Sequence, residues 1–109
     1  MTDPVISIAQ YRVKAGAEQE FTEILRRHTR TLRALELITD RPVEVFTGSE
    51  KNIDGPLFVE IFEWVDPEGS AKAHTHPDAS AVWESMGELC ESRGGRPMFE
   101  FPNVRQLVL

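Results

Sequence analysis

The residues from Leu57 to Val65 read L-F-V-E-I-F-E-W-V, and they constrain the fold more than any other stretch. Side chains of an extended strand alternate between its two faces. Leu57, Val59 and Ile61 therefore share one face, and Phe58, Phe62 and Trp64 share the other. A strand that is apolar on both sides has to be covered on both sides. With 109 residues the chain has room for one core, so a single domain over residues 1–109 is expected.

The flanking segments supply part of that cover. Val5 to Val13 is rich in β-branched residues and predicts a strand. Lys14-Ala15-Gly16 ends it. From about Ala17 to Leu37 the residues Phe21, Ile24, Leu25, His28, Leu32 and Leu35 form the apolar stripe of a helix. Pro42 returns the chain to an extended form, and Val43 to Thr47 predicts a short strand. The stretch G-S-E-K-N-I-D-G-P is dense in turn residues and reads as a loop. After the long strand, Asp66-Pro67-Glu68 offers an N-cap, a first-position proline and an acidic first turn for a second helix. Pro77 removes a backbone donor, so it interrupts or restarts this helix, with His76 as a possible cap. Val82, Trp83, Met86, Leu89 and Cys90 form the next apolar stripe, and Gly94-Gly95 ends it. Residues 97–109 give a last extended segment in which Pro102 marks an edge or a bulge.

The resulting order is β-α-β-β-α-β, which predicts an α+β domain with an antiparallel sheet and both helices on one face. The other face is left bare. A second copy packed sheet to sheet would cover it, so a homodimer through the sheet face is expected. A domain this small buries only about 60–70% of its unfolded surface, which favours such pairing.

Charge narrows the partners. The net charge of −6 argues against nucleic acid and anionic membranes. No basic-plus-apolar leader pattern is visible at the N-terminus, and the single Cys90 has no internal disulfide partner. A cytoplasmic protein is the expectation.

Three stretches carry a family resemblance. They are the strand-to-helix opening I-A-Q-Y-R-V-K-A-G-A-E-Q-E-F, the passage F-E-W-V-D-P-E-G-S-A-K-A-H, and the Trp83 to Leu89 helix with its closing strand. Together they resemble the dimeric α+β barrel superfamily, specifically its antibiotic-biosynthesis-monooxygenase-like group. The resemblance spans nearly the whole chain and implies a ferredoxin-like fold and a dimer. Members include cofactor-independent oxygenases of polyphenols and quinols, haem-degrading enzymes and isomerases. Haem-degrading members carry an Asn on the first strand and a Trp–His pair on the second helix. Ala9 stands at the first position and His74 near the Trp position, so that triad is absent. Other members carry T-P-H after the A-H motif, where this chain has H-T-H-P-D-A.

The candidate catalytic residues are His74, His28 and Glu60. His74 matches the family's helix histidine, and an imidazole there can accept a phenolic or enolic proton. His28 is the ionisable group on an otherwise apolar stripe, at the expected helix–sheet cavity. Glu60 lies between Phe58 and Phe62 on one strand face, where a carboxylate can serve as a base or a hydrogen-bond partner. Tyr11, Phe46, Phe62, Trp64, His76 and Trp83 are the candidate substrate-binding residues, walls for an aromatic ligand. His74 and His76 form an H-x-H pair, but two histidines with His28 as a distant third make a poor metal set, and no metal or other cofactor is predicted. Arg26, Arg27, Arg30 and Arg33 read as a solvated helix face, and Cys90 as buried packing.

Three functions fit these residues. The first is a cofactor-independent monooxygenase of a small aromatic hydroxyl or quinol-type substrate. The second is a ligand-binding or stress-associated dimer without catalysis. The third is a small isomerase or lyase using His and Glu acid–base chemistry.

Overall fold

The structure is a computed structural model, and it describes residues 3–109. Strand β1 (Val5–Arg12) leads to helix α1 (Glu18–Ala34). A hairpin of β2 (Glu44–Glu50) and β3 (Ile53–Trp64) follows. Two helices come next, α2 (Gly69–Thr75) and α3 (Pro77–Glu88). Two short strands close the chain, β4 (Phe99–Glu100) and β5 (Asn103–Val104). The sheet order is β2-β3-β1-β4 with β5 also on β1, and every pairing is antiparallel. This is the ferredoxin-like α+β arrangement that the strand and helix periodicities predict.

The β1–β3 register sets the two faces. Ser7 sits opposite Phe62, Ala9 opposite Glu60 and Tyr11 opposite Phe58, all buried toward the helices. Helix α1 lays Phe21, Leu25, His28 and Leu32 onto that face. The Tyr11, Phe21 and Phe58 rings pack in sequence, tilted and edge to face, with centroids 5.1 and 5.2 Å apart. Ile6, Ile8, Val59 and Ile61 occupy the opposite, helix-free face and are only half-buried.

Three local expectations are corrected by hydrogen bonding. The expected loop after Thr47 is mostly strand. Gly48 pairs with Leu57 and Glu50 with Ile53, so only Lys51 and Asn52 turn the hairpin. Asn52 takes φ 64°, a left-handed conformation that asparagine tolerates. Gly55 takes φ 120° where the Arg93 guanidinium crosses the strand to reach the Val13 and Pro56 carbonyls. Helix α1 stops at Ala34, three residues before the expected Leu37, because Glu36 turns left-handed at φ 58°. Helix α2 starts three residues after Asp66. The Asp66 carboxylate accepts the Glu68 N–H at 2.8 Å, and its carbonyl accepts the Gly69 N–H, so a turn precedes the helix.

Proline punctuation acts as expected. Pro77 begins α3, and His76 caps it by accepting the Asp78 N–H on Nδ1 at 3.2 Å. His76→Ala should lower stability by about 0.5–1 kcal/mol, the usual loss for an N-cap, measurable as a shift in the urea midpoint. Pro102 divides the closing strand, yet its carbonyl still accepts the Ile8 N–H at 3.0 Å.

The helix-free face also carries an ion cluster. Arg12 has a fully buried side chain. It donates from Nε and Nη2 to Glu50 at 2.9 and 3.0 Å, and from Nη1 to the Pro97 carbonyl at 2.7 Å. Glu100 Oε1 comes within 2.6 Å of Nη2 but out of line for a hydrogen bond, so that contact is ionic. The bond to Arg12 holds the Glu50 carboxyl below its usual range. Arg12 thereby ties the hairpin to the closing segment.

Candidate functional site

A cavity of about 570 Å³ opens between the sheet and the α2–α3 pair. That volume suits a drug-sized ligand. Its aromatic walls are Phe62, Trp64 and Trp83, with Phe99 and Phe101 from the closing segment and the edge of Tyr11. Ser7 lies on its floor, Ser70, Ser80 and His74 line the helical side, and Glu84 and Asn103 complete it. Strand alternation explains the sheet side: Ser7 and Tyr11 are two periods of two apart on β1. Helix spacing explains the α3 side, since Ser80, Trp83 and Glu84 fall within one turn. Gly69 lets Trp64 lie flat beneath α2. A Cβ there would stand 2.5 Å from the indole ring.

Behind the cavity wall runs a buried polar chain. Tyr11 Oη donates to Glu60 Oε1 at 2.7 Å. His28 Nδ1 lies 3.0 Å from the same oxygen and 3.2 Å from Oε2. Trp83 Nε1 lies 2.9 Å from His28 Nε2. An indole N–H can only donate, so Nε2 accepts. The His28 proton then sits on Nδ1 and is donated to Glu60. The ring is neutral in this arrangement, Glu60 is the carboxylate, and it accepts from Tyr11 and His28 together. Burial pushes the Tyr11 phenol well above its ordinary range, and the Glu60 charge and hydrogen bond push it the same way. Tyr11 is therefore a fixed donor. Both His28 nitrogens are engaged, so His28 holds its neighbours and is not a free base.

The expected site residues thus separate into groups. His28, His74, Tyr11, Phe62, Trp64 and Trp83 all reach the cavity. Glu60 does not line it and sits one residue behind, under His28. His74 is exposed on α2 and packs against Trp83 with ring centroids 5.9 Å apart, while Trp83 has His28 on its other flank at 6.4 Å. Two candidates lie elsewhere. Phe46 pairs with Val59 and so points to the helix-free face, 49% exposed. His76 turns back to cap α3. Ser7, Ser80, Glu84, Phe99, Phe101 and Asn103 line the cavity without having been singled out by sequence. Among the described residues no cluster of three or more His, Cys, Asp or Glu is placed to hold a metal ion. Cys90 is buried away from the cavity, and burial pushes its thiol up to about 12.

Neither a protein-family model nor a curated protein sequence matches this chain. Solved structures do. SnoaB from Streptomyces nogalater, described as a cofactor-independent oxygenase, is 17% identical at a TM-score of 0.70, covering 98% of this chain and 96% of that one. The chain shares the ferredoxin-like α+β fold of these structures. A candidate antibiotic biosynthesis monooxygenase from Bordetella bronchiseptica gives a TM-score of 0.75 at 12% identity, with 97% and 99% of the two chains covered. A dimeric ferredoxin-like protein of unknown function from Jannaschia gives 0.65 at 11% identity, with 94% and 99% covered. At these identities the likeness shows the fold alone. Among the described residues, no helix is long and apolar enough to cross a membrane.

Proposed function

We propose that this chain is a small monooxygenase that oxidises an aromatic hydroxyl or quinol-type substrate with dioxygen and no bound cofactor. The observation that carries the reading is the aromatic cavity with one unengaged imidazole, His74, facing a wall that Trp83, His28 and Glu60 hold rigid. The likeness to a cofactor-independent oxygenase is in keeping with it. His74 would take the acidic proton of the bound substrate. The electron-rich anion then reacts at a ring carbon with dioxygen. One oxygen atom enters the product as a carbonyl and the other leaves as water, so the substrate supplies every electron. The protein contributes deprotonation, orientation between aromatic faces and exclusion of water.

The test is oxygen uptake by the metal-free protein against quinols and polyphenols. Uptake above the spontaneous rate should fall about 100-fold or more in His74→Ala, the scale of a lost general base. No uptake across the panel would remove the reading. Ligand binding without turnover is the second reading. It is favoured by the engagement of His28 and Glu60 with each other and with Tyr11 and Trp83, which ties up two of the three expected acid–base groups. Isomerase or lyase chemistry is weaker, because Glu60 sits behind the wall and not in it.

We also propose that the chain acts as a homodimer through its helix-free sheet face. The half-buried Ile6, Ile8, Val59 and Ile61 and the exposed Phe46 support this. Sedimentation should give a dimer mass, and Phe46→Glu should shift it toward monomer. A monomeric wild type would overturn the proposal.

A further inference from the structure

We infer that the cavity selects its aromatic ligand by charge, accepting neutral or cationic aromatics and rejecting those that carry a carboxylate or phosphate. This deepens the reading above by naming the substrate's charge class, and it rests on that reading's choice of cavity. The first observation is the make-up of the wall. It has no lysine or arginine, and Glu84 is the charged side chain in it. Lys72, on the same helix as His74, is held outside by Asp66 at 3.0 Å. Arg105 follows Asn103 by two residues yet is not part of the wall.

The second observation is independent of the first. Glu60 is 1% exposed, and its two partners are a phenol and a neutral imidazole. Its charge is hydrogen-bonded but meets no cation. Arg12, the buried cation of the sheet, is spent on the opposite face with Glu50 and Glu100. One carboxylate therefore stands directly behind His28, which separates it from Trp83, in surroundings too dry to screen it well. A ligand that arrives as an anion meets this charge and Glu84 with no lysine or arginine in the wall to answer it, whereas a substrate deprotonated in place would leave its proton on His74 as the matching cation. A ligand cation meets an aromatic lining that includes Trp64, Trp83, Phe99 and Phe101, with the same two carboxylates close by, which favours cation–π binding.

The experiment is calorimetric titration of the wild-type protein with three probes of matched shape: 2-naphthylmethanol, (2-naphthylmethyl)trimethylammonium and 2-naphthylacetate. It is run at about pH 8 in one buffer throughout. The ammonium should bind at least as tightly as the alcohol, and the carboxylate about ten-fold or more weakly than the alcohol. Glu84→Gln, an exposed position, should narrow the spread between ammonium and carboxylate severalfold. Equal or tighter binding of the carboxylate would overturn the inference, and so would binding of none of the three. The titration needs no turnover. A correct charge ranking with no oxygen uptake would sink the oxygenase reading and leave this one standing, while uptake with carboxylate substrates preferred would do the reverse.

Discussion

Arg12→Met should destabilise the fold by about 3 kcal/mol, the scale on which one partner is removed from a buried ion pair. The loss is large because Arg12 serves two hydrogen-bond acceptors and a third, ionic partner at once. Its removal leaves Glu50 and Glu100 facing each other and strips the Pro97 carbonyl of a donor. Arg12→Lys keeps the charge but cannot bridge Glu50 with two bonds, so about half the loss is expected. Urea unfolding gives both values. The pH dependence has a definite sign. Glu50 is held below the usual carboxylate range in the folded state, so its contribution is complete above that range and is lost as pH falls through the folded value. In Arg12→Met acid instead neutralises two carboxylates that have lost their buried partner, Glu50 keeping only the more distant Arg96 at 3.9 Å. The gap between wild type and variant should therefore narrow below about pH 4. A gap that widens in acid would contradict the assignment of Arg12 as the partner of Glu50.

Glu60→Ala is expected to cost a similar amount, about 3 kcal/mol, for a different reason. It strands two buried donors, the Tyr11 hydroxyl and the His28 Nδ1–H, each worth about 1–3 kcal/mol when unsatisfied. Some of this is offset because a buried charge disappears with the side chain. Glu60→Gln keeps the shape and one acceptor, and about 1 kcal/mol is expected. The spectroscopic consequence separates the proposed chain of bonds from simple packing. Without Glu60 the His28 proton is free to move to Nε2, where it can no longer accept from Trp83. The Trp83 indole N–H should then lose its hydrogen-exchange protection and change its chemical shift, with Trp64 as the internal control. An unchanged Trp83 signal in a folded Glu60→Ala protein would show that the wall does not depend on this chain.

How much of this was legible depends on the kind of regularity involved. The strand of Phe58, Glu60, Phe62 and Trp64 and the stripe of Phe21, Leu25, His28 and Leu32 repeat at fixed periods, so both elements and the helix's inward face could be read directly, while the strand, apolar on both sides, did not say which face the helices cover. Period two also carried a signal that went unused. Tyr11 on the inner face implies Ser7 on the same face, and Phe99, Phe101 and Asn103 alternate in the same way. Long-range pairing has no such trace. Nothing local says that Arg12 meets Glu50, 38 residues away, or that Trp83 meets His28 across 55. Phe46 went to the wrong face because its strand runs through glycine and polar residues, where alternation alone does not say which side is apolar. His76 was ambiguous for a chemical reason: the same imidazole can cap a helix or meet a ligand, and only the position of the Asp78 N–H decides.

Tyr11 and Arg12 are neighbours in sequence that serve opposite sides of the sheet. A slip of β1 by one residue would exchange them. The guanidinium would enter the aromatic layer between Phe21 and Phe58, and the phenol would be left among Glu50 and Glu100, with only Arg96 near Glu50. Both errors are expensive, and they arise from the same displacement. Misaligned pairings of the central strand are thus penalised twice during assembly, so a small chain with little core to spare can still settle on one alignment.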